Sequence, residues 1–227
     1  MANEVEKIAL VTGGTGDIGG AYIHALLENG YEKIFAPVRN LTKMKSIFDS
    51  PNVIAEELEL EDEESVRSYL ERCSQQGLVF DLVVLATGDF KRDDEFNYIE
   101  EDSREKEAKR YMANCCFVTK ENFTAGLQAK YDRSLLRKMT LHLISSTAAF
   151  FHSDEPRKNT EQAHIYASQL VMQLGATLKY EEIFRDVFIE YPPLLEGRIA
   201  REKFSGLTAL ETPRHFVQRT LQLAELV

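Results

Sequence analysis

The run Lys7-Ile8-Ala9-Leu10-Val11-Thr12 is apolar and β-favouring, and it breaks at once into Gly13-Gly14-Thr15-Gly16-Asp17-Ile18-Gly19-Gly20. Beyond the glycines, Ile18, Ala21, Tyr22, Ala25 and Leu26 recur at helical spacing as far as Asn29-Gly30, a helix-stop signature. A strand, a glycine turn and a helix in that order open a βαβ unit. Gly14-x-Gly16-x-x-Gly19 satisfies the general dinucleotide fingerprint, and Gly13-x-x-Gly16-x-x-Gly19 satisfies a wider-spaced form of it; both registers are open. Glycines let the backbone turn tightly and approach a pyrophosphate, which then rests against the N–H groups at the positive end of the following helix. The alternative is a turn that serves the fold alone.

The alternation continues. Lys33 to Val38 reads as a strand, Leu41 to Phe48 as a short helix and Asn52 to Leu58 as a third strand. Asp62-Glu63-Glu64 opens a helix with acids where the macrodipole favours them; Val66, Tyr69, Leu70 and Cys73 form its apolar face, and Gly77 ends it. The run from Val79 to Ala86 fits a strand buried on both faces. A charged stretch from Asp93 to Lys109 leads into a helix through Tyr111 to about Lys130. Met139 to Ser145 is then a strand, Glu161 to Glu182 a long helix, and Asp186 to Tyr191 a sixth strand stopped by Pro192-Pro193. Thr212-Pro213 carries the start signature of a last helix, with Phe216, Val217, Thr220, Leu221 and Ala224 inside. This order predicts an α/β fold: a Rossmann-like, doubly wound parallel sheet with helices on both faces and a ligand crevice at the carboxyl ends of its strands. With 227 residues and no linker or repeat, one nucleotide-binding domain over residues 1–227 is expected.

A net charge of −10 disfavours nucleic acid or an anionic membrane face as main partner, so an anion site has to be local. No stretch approaches the ~20 apolar residues of a membrane span, and Met1 to Lys7 lacks the features of an export signal, so a cytoplasmic protein is expected. Cys73, Cys115 and Cys116 suit neither a disulfide framework nor C-x-x-C metal spacing and read as small apolar residues. The five histidines are scattered, and no metal site is expected.

Cofactor choice turns on the end of the second strand, Pro37-Val38-Arg39-Asn40, where an acid would hold the ribose 2′-hydroxyl of NAD. The acid is absent, and Arg39 can pair with a 2′-phosphate, so NADP is expected ahead of NAD. The competing reading of Arg39 is a solvated loop cation.

These features resemble the short-chain dehydrogenase/reductase family over nearly the whole chain. Thr12 to Gly19 looks like the family's cofactor loop in G-x-x-G-x-x-G spacing, and Asp81 to Gly88 is similar to its strand ending in Asn-Asn-Ala-Gly, with Leu85 and Ala86 in place of the asparagines. Met112-Ala113-Asn114 matches the helix Asn that supports a relay water, and Ile144 to Ala149 looks like the serine strand end, with Ser146 the substrate-orienting serine. The Tyr-x-x-x-Lys signature is not reproduced. Gln169 at the lysine place puts Ile165 at the tyrosine place, whereas Tyr166 as the tyrosine puts Leu170 at the lysine place. The cofactor positions the resemblance implies are Gly13, Thr15, Gly16, Asp17, Ile18, Arg39, Leu60, Ala86 and Gly88; the catalytic ones are Asn114, Ser146, Tyr166 and Gln169.

In the family, hydride moves between nicotinamide and a carbonyl carbon while tyrosine passes the proton and lysine lowers its pKa. Without the lysine, a tyrosine near its reference pKa of ~10 is a poor base but still an acid, so reduction survives better than oxidation. The resemblance therefore implies an NADP-dependent reductase of a small carbonyl or imine; the alternative is a catalytically impaired NAD(P)-binding regulator or partner subunit. An epimerase or dehydratase that returns the hydride to its substrate is a third reading. His164, beside Tyr166, is either a substitute proton donor or a polar residue at the helix start. Leu170, Val171, Leu174 and Leu178 spread over more than one stripe, which with the resemblance implies a homodimer or homotetramer through the long helices; otherwise the helix is sunk deeper in its own core. The substrate is set by loops such as Phe150 to Thr160 and Leu194 to Leu210, which spell no ligand.

Overall fold

A strand buried on both faces has to be covered from both sides, and β1 (Ile8–Thr12), buried at all 5 residues, runs through the interior of the sheet. In the computed structural model, residues 6–43, 46–88, 101–146, 159–192 and 212–226 are described. β2 (Lys33–Val38), β3 (Val53–Glu57), β4 (Leu82–Leu85), β5 (Thr140–Ile144) and β6 (Asp186–Glu190) complete a 6-stranded parallel sheet in the order β3-β2-β1-β4-β5-β6. The order reverses between β1 and β4, the switch point at which doubly wound sheets open a crevice. Val11 lies opposite Val84 and Thr12 opposite Leu85, so Gly13 and Ala86 emerge side by side.

Alternate residues along each strand feed two cores. On one face, α1 (Asp17–Glu28) and α7 (Pro213–Leu223) bring Tyr22, Leu26, Phe216 and Leu221 onto Ala9, Val11, Leu82 and Val84. On the other, α2 (Glu63–Gln75), α4 (Thr119–Lys130) and α6 (Asn159–Tyr180) bring Leu70, Phe123, Leu127 and Val171 onto Leu10, Val83, Leu85 and Leu141. At roughly 1.5–3 kcal/mol for each large apolar side chain buried, these two layers dominate the stability. The helix ends follow the sequence reading. Asp62 accepts from the Glu64 and Ser65 N–H groups, Thr212 accepts from the His215 N–H ahead of Pro213, and Gly30 and Gly77 close α1 and α2 at φ 76° and 72°.

Two expectations are modified. Leu41 to Phe48 is not one helix but a pair of 3₁₀ turns, Leu41–Lys43 and Ser46–Asp49; the Asn40 side chain accepts from both the N–H and the hydroxyl of Thr42, competing with helical bonding. The helix expected through Tyr111 to Lys130 starts earlier, as α3 (Glu101–Ala113), and is interrupted by a π-helical turn, Asn114–Val118, before α4 begins. Thr119 Oγ1 donates to the Cys115 carbonyl, the group its own N–H would bond in an α-helix, and that N–H reaches one residue further back to Asn114. Helix α6 also packs on α3, Ala163 and Ala167 against Ala108 and Met112, while Val171 and Leu178 enter the sheet core.

A short α5 (Arg133–Leu136) leads into β5. Thr147 to Ala149, Pro193, loop Leu194 to Leu210 and most of loop Phe150 to Thr160 lie outside the described residues. Among the described residues no helix is long and apolar enough to cross a membrane, and no group of three or more His, Cys, Asp or Glu residues is placed to hold a metal ion.

Candidate active site

The glycine turn chooses between the two fingerprint registers. Gly13 sits at φ 70°, where L side chains are strained, and a Cβ there would come within 2.8 Å of the Ala86 carbonyl oxygen on the neighbouring strand end. A Cβ on Gly19 would collide with the backbone of Gly13, whereas one on Gly14 would meet the side-chain ends of Ile23 and Phe48. Gly16 donates its N–H to the Gly13 carbonyl at 2.9 Å and caps α1 without any side-chain acceptor, so the helix start is left for an anion to complete. The backbone therefore demands glycine at Gly13 and Gly19, the ends of the wider register. Thr15 is half-buried and Asp17 exposed, while Ile18 packs on the α1 core. A pyrophosphate would meet the Asp17 main chain, because its carboxylate repels phosphate.

Toward the outer strands, Arg39 follows β2, more than half exposed, and its Nη1 lies 3.8 Å from Glu61 Oε1. Cys115 Sγ is 3.8 Å from the same oxygen. Glu61 is a charged neighbour that the sequence around Arg39 does not reveal; it offsets part of the guanidinium charge. Leu60 is 2% exposed and its carbonyl accepts from Asn122 Nδ2 at 3.2 Å, so any contact it makes with a cofactor falls to its main chain.

At the switch point a line of hydroxyls, Thr12, Thr87 and Thr119, ties β1, the end of β4 and α4 together through contacts of 3.3 and 3.0 Å. Beside it, Lys120 is 1% exposed, with Nζ donating to the carbonyls of Thr87 and, at 2.7 Å, Cys116. Burial brings its pKa down to about 8, against a smaller opposing effect of the neighbouring thiols. A lysine in a run of polar residues reads as solvated, and only the widened helix turns it inward. Ala86 is half-buried, and exposed Gly88 sits over Cys116, whose Sγ would be 3.6 Å from a Cβ there.

The serines at the end of β5 meet α6. Ser146 Oγ lies 3.1 Å from His164 Nε2, and Ser145 Oγ donates to the Ser168 carbonyl at 3.0 Å. Ser146 thus meets the His164 side chain, and Ser145 the main chain of Ser168. Tyr166 is 45% exposed, and two residues along a helix turn it about 200° from His164, so the structure does not bring it to Ser146. Gln169 is half-buried one residue past Ser168. Asn114 begins the π-helical turn, half-buried, with its carbonyl taken by the Thr119 N–H.

Two further polar features lie elsewhere. His142 on β5 is fully buried, with Nδ1 3.1 Å from the Tyr22 hydroxyl and 4.0 Å from Glu190 Oε1; burial holds its pKa down to about 3, so it is neutral. A cavity of about 500 Å³ lined by residues including Tyr131, Arg133 and Glu181 lies at the opposite end of the sheet from the glycine turn.

A reversing parallel sheet with a glycine turn at its switch point and no side-chain cap on the helix that follows defines a Rossmann fold. A sequence model of the NAD dependent epimerase/dehydratase family matches residues 9–105, the part that carries this turn. Solved structures share the fold. A short-chain dehydrogenase from Burkholderia cenocepacia J2315 in complex with NADP is 18% identical, covering 96% of this chain and 84% of that one, with a TM-score of 0.69. A short-chain dehydrogenase from Streptomyces avermitilis is 16% identical over 98% and 85%, TM-score 0.75. A protein described as ribose-5-phosphate isomerase from Brucella melitensis 16M is 17% identical over 96% and 84%, TM-score 0.78. No curated protein matches. The chain thus shares the fold of these short-chain dehydrogenase structures.

Proposed function

We propose that this protein is an NADP-dependent reductase that delivers hydride to a small carbonyl or imine substrate. The observation that carries the reading is the placement, along the carboxyl edge of one sheet, of a glycine turn that admits a pyrophosphate and a hydroxyl–imidazole pair, Ser146 and His164, that can hold and protonate a substrate heteroatom. The nicotinamide supplies the hydride when bound. Gly13, Gly16 and the start of α1 would hold the pyrophosphate, and Arg39 the 2′-phosphate. NADP in the Burkholderia structure is consistent with this choice. Self-association through the long helices belongs to the same proposal and is read by size-exclusion chromatography with light scattering.

Calorimetric titration of NADPH and NADH into the wild-type protein and Arg39→Ala tests it. Tighter binding of NADPH, falling about 10- to 100-fold toward the NADH value in the variant, is expected from loss of charge-assisted hydrogen bonds. NADPH oxidation absent across a panel of aldehydes, ketones and imines would count against a reductase. The second reading, a catalytically impaired NAD(P)-binding regulator or partner subunit, is favoured by the exposure of Tyr166. Partner binding that is the same with and without NADPH would remove its sensor form.

A further inference from the structure

We infer that His164 is the proton donor of this site, acting with Ser146 on a neutral carbonyl substrate; the inference rests on the reductase reading above. Three observations place it. The imidazole Nε2 is 3.1 Å from Ser146 Oγ, and Ser146 stands two residues beyond the end of β5, at the crevice end of the sheet. One helical turn beyond His164, the Ser168 carbonyl accepts from Ser145, a second contact between α6 and the serines that helps hold the helix in this register. The other candidate, Tyr166, turns away by about 200° and is 45% exposed.

The chemistry balances with these groups. As hydride adds to the carbonyl carbon, the C=O π pair moves onto oxygen and takes the proton from the imidazolium Nε2–H, directly or through the Ser146 hydroxyl. A bound nicotinamide would supply the hydride and its electron pair; the alcohol would then leave, and neutral imidazole would recover its proton from solvent. A protonated imidazole can hand its proton to a developing alkoxide without an auxiliary cation. The missing lysine is then not required.

The test compares wild type, His164→Gln, Ser146→Ala and Tyr166→Phe by NADPH calorimetry, single-turnover hydride transfer to the carbonyl panel, and nuclear magnetic resonance of the imidazole C–H groups. His164→Gln is expected to slow hydride transfer roughly 100-fold or more while NADPH affinity stays within about threefold. In wild type, the His164 resonances are expected to shift on NADPH addition and again in Ser146→Ala. Full turnover in His164→Gln, or its loss in Tyr166→Phe, would overturn the assignment. So would normal NADPH binding that leaves the His164 resonances unmoved, even without turnover. Covalent capture of Ser146 by a fluorophosphonate would also overturn it, since the pair would then be a nucleophile and its base. Failure to bind NADPH at all would instead remove the reductase reading beneath it.

Discussion

Gly19, in the first turn of α1, lies so close to Gly13 that a Cβ on it would overlap the Gly13 carbonyl oxygen and carbon. Helix α1 can seat against the end of β1 only because neither residue carries a side chain, and the same approach brings the helix start to the switch point. Gly19→Ala is therefore expected to destabilise the fold by about 1–3 kcal/mol through overpacking and to abolish NADPH binding. Gly14→Ala, which meets movable side-chain ends, is expected to cost less. Urea denaturation of both variants ranks them, and equal costs would mean that the turn relaxes freely.

Removing the carboxylate beside Arg39 tests the electrostatics of the outer strands. Glu61→Gln leaves the guanidinium in place without its neighbour at 3.8 Å. NADPH is expected to bind a few-fold more tightly and NADH about equally, because only the 2′-phosphate senses the released charge. A loss of NADPH affinity would show that Glu61 is needed to position Arg39.

Lys120 makes stability depend on alkaline pH. Its folded pKa, about 8, lies below the ~10.5 of the free side chain, so between these values the unfolded chain holds more protons and stability rises with pH. Measured against Lys120→Met, wild type is expected to gain up to about 3 kcal/mol from pH 8 to pH 10.5, with no change below pH 8. At pH 7 the variant also leaves the Thr87 and Cys116 carbonyls without their donor. Denaturation curves that stay parallel across this range would mean that the ammonium is not buried as described.

The opposite edge of the pH range belongs to His142. Its folded pKa of about 3 lies below the ~6.5 of a free imidazole, so its contribution is whole above pH 6.5 and drains away as the pH falls toward 3. His142→Leu is expected to be less stable at pH 7, where the Tyr22 hydroxyl loses its partner, yet to resist acid better, with a smaller loss between pH 6.5 and 4. An acid transition identical to wild type would assign acid lability to other groups.

The sheet was legible because burial on two faces leaves a linear trace. Runs such as Leu82 to Leu85 carry no polar face, and Gly77, Asp62 and Thr212 mark helix ends by local bonding that needs no distant partner. Strand β5 was legible for the same reason. The register of α6 was not: His164, Ile165 and Tyr166 are consecutive, and packing such as that of Ala163 and Ala167 on α3 sets which of them turns to Ser146.

By itself, then, the sequence determined the strand–turn–helix opening, the alternation that builds a doubly wound sheet, and the absence of an acid after β2. These are consequences of backbone freedom, side-chain period and residue type within a few positions. Tertiary structure alone decided that Gly13 and Gly19, rather than Gly14, must be glycine, that Lys120 is drawn inside by a widened helix turn, that Glu61 stands beside Arg39, and that His164 meets Ser146. Each of these relations joins elements far apart in the chain, and their geometry exists only once two cores have locked the helices against the sheet.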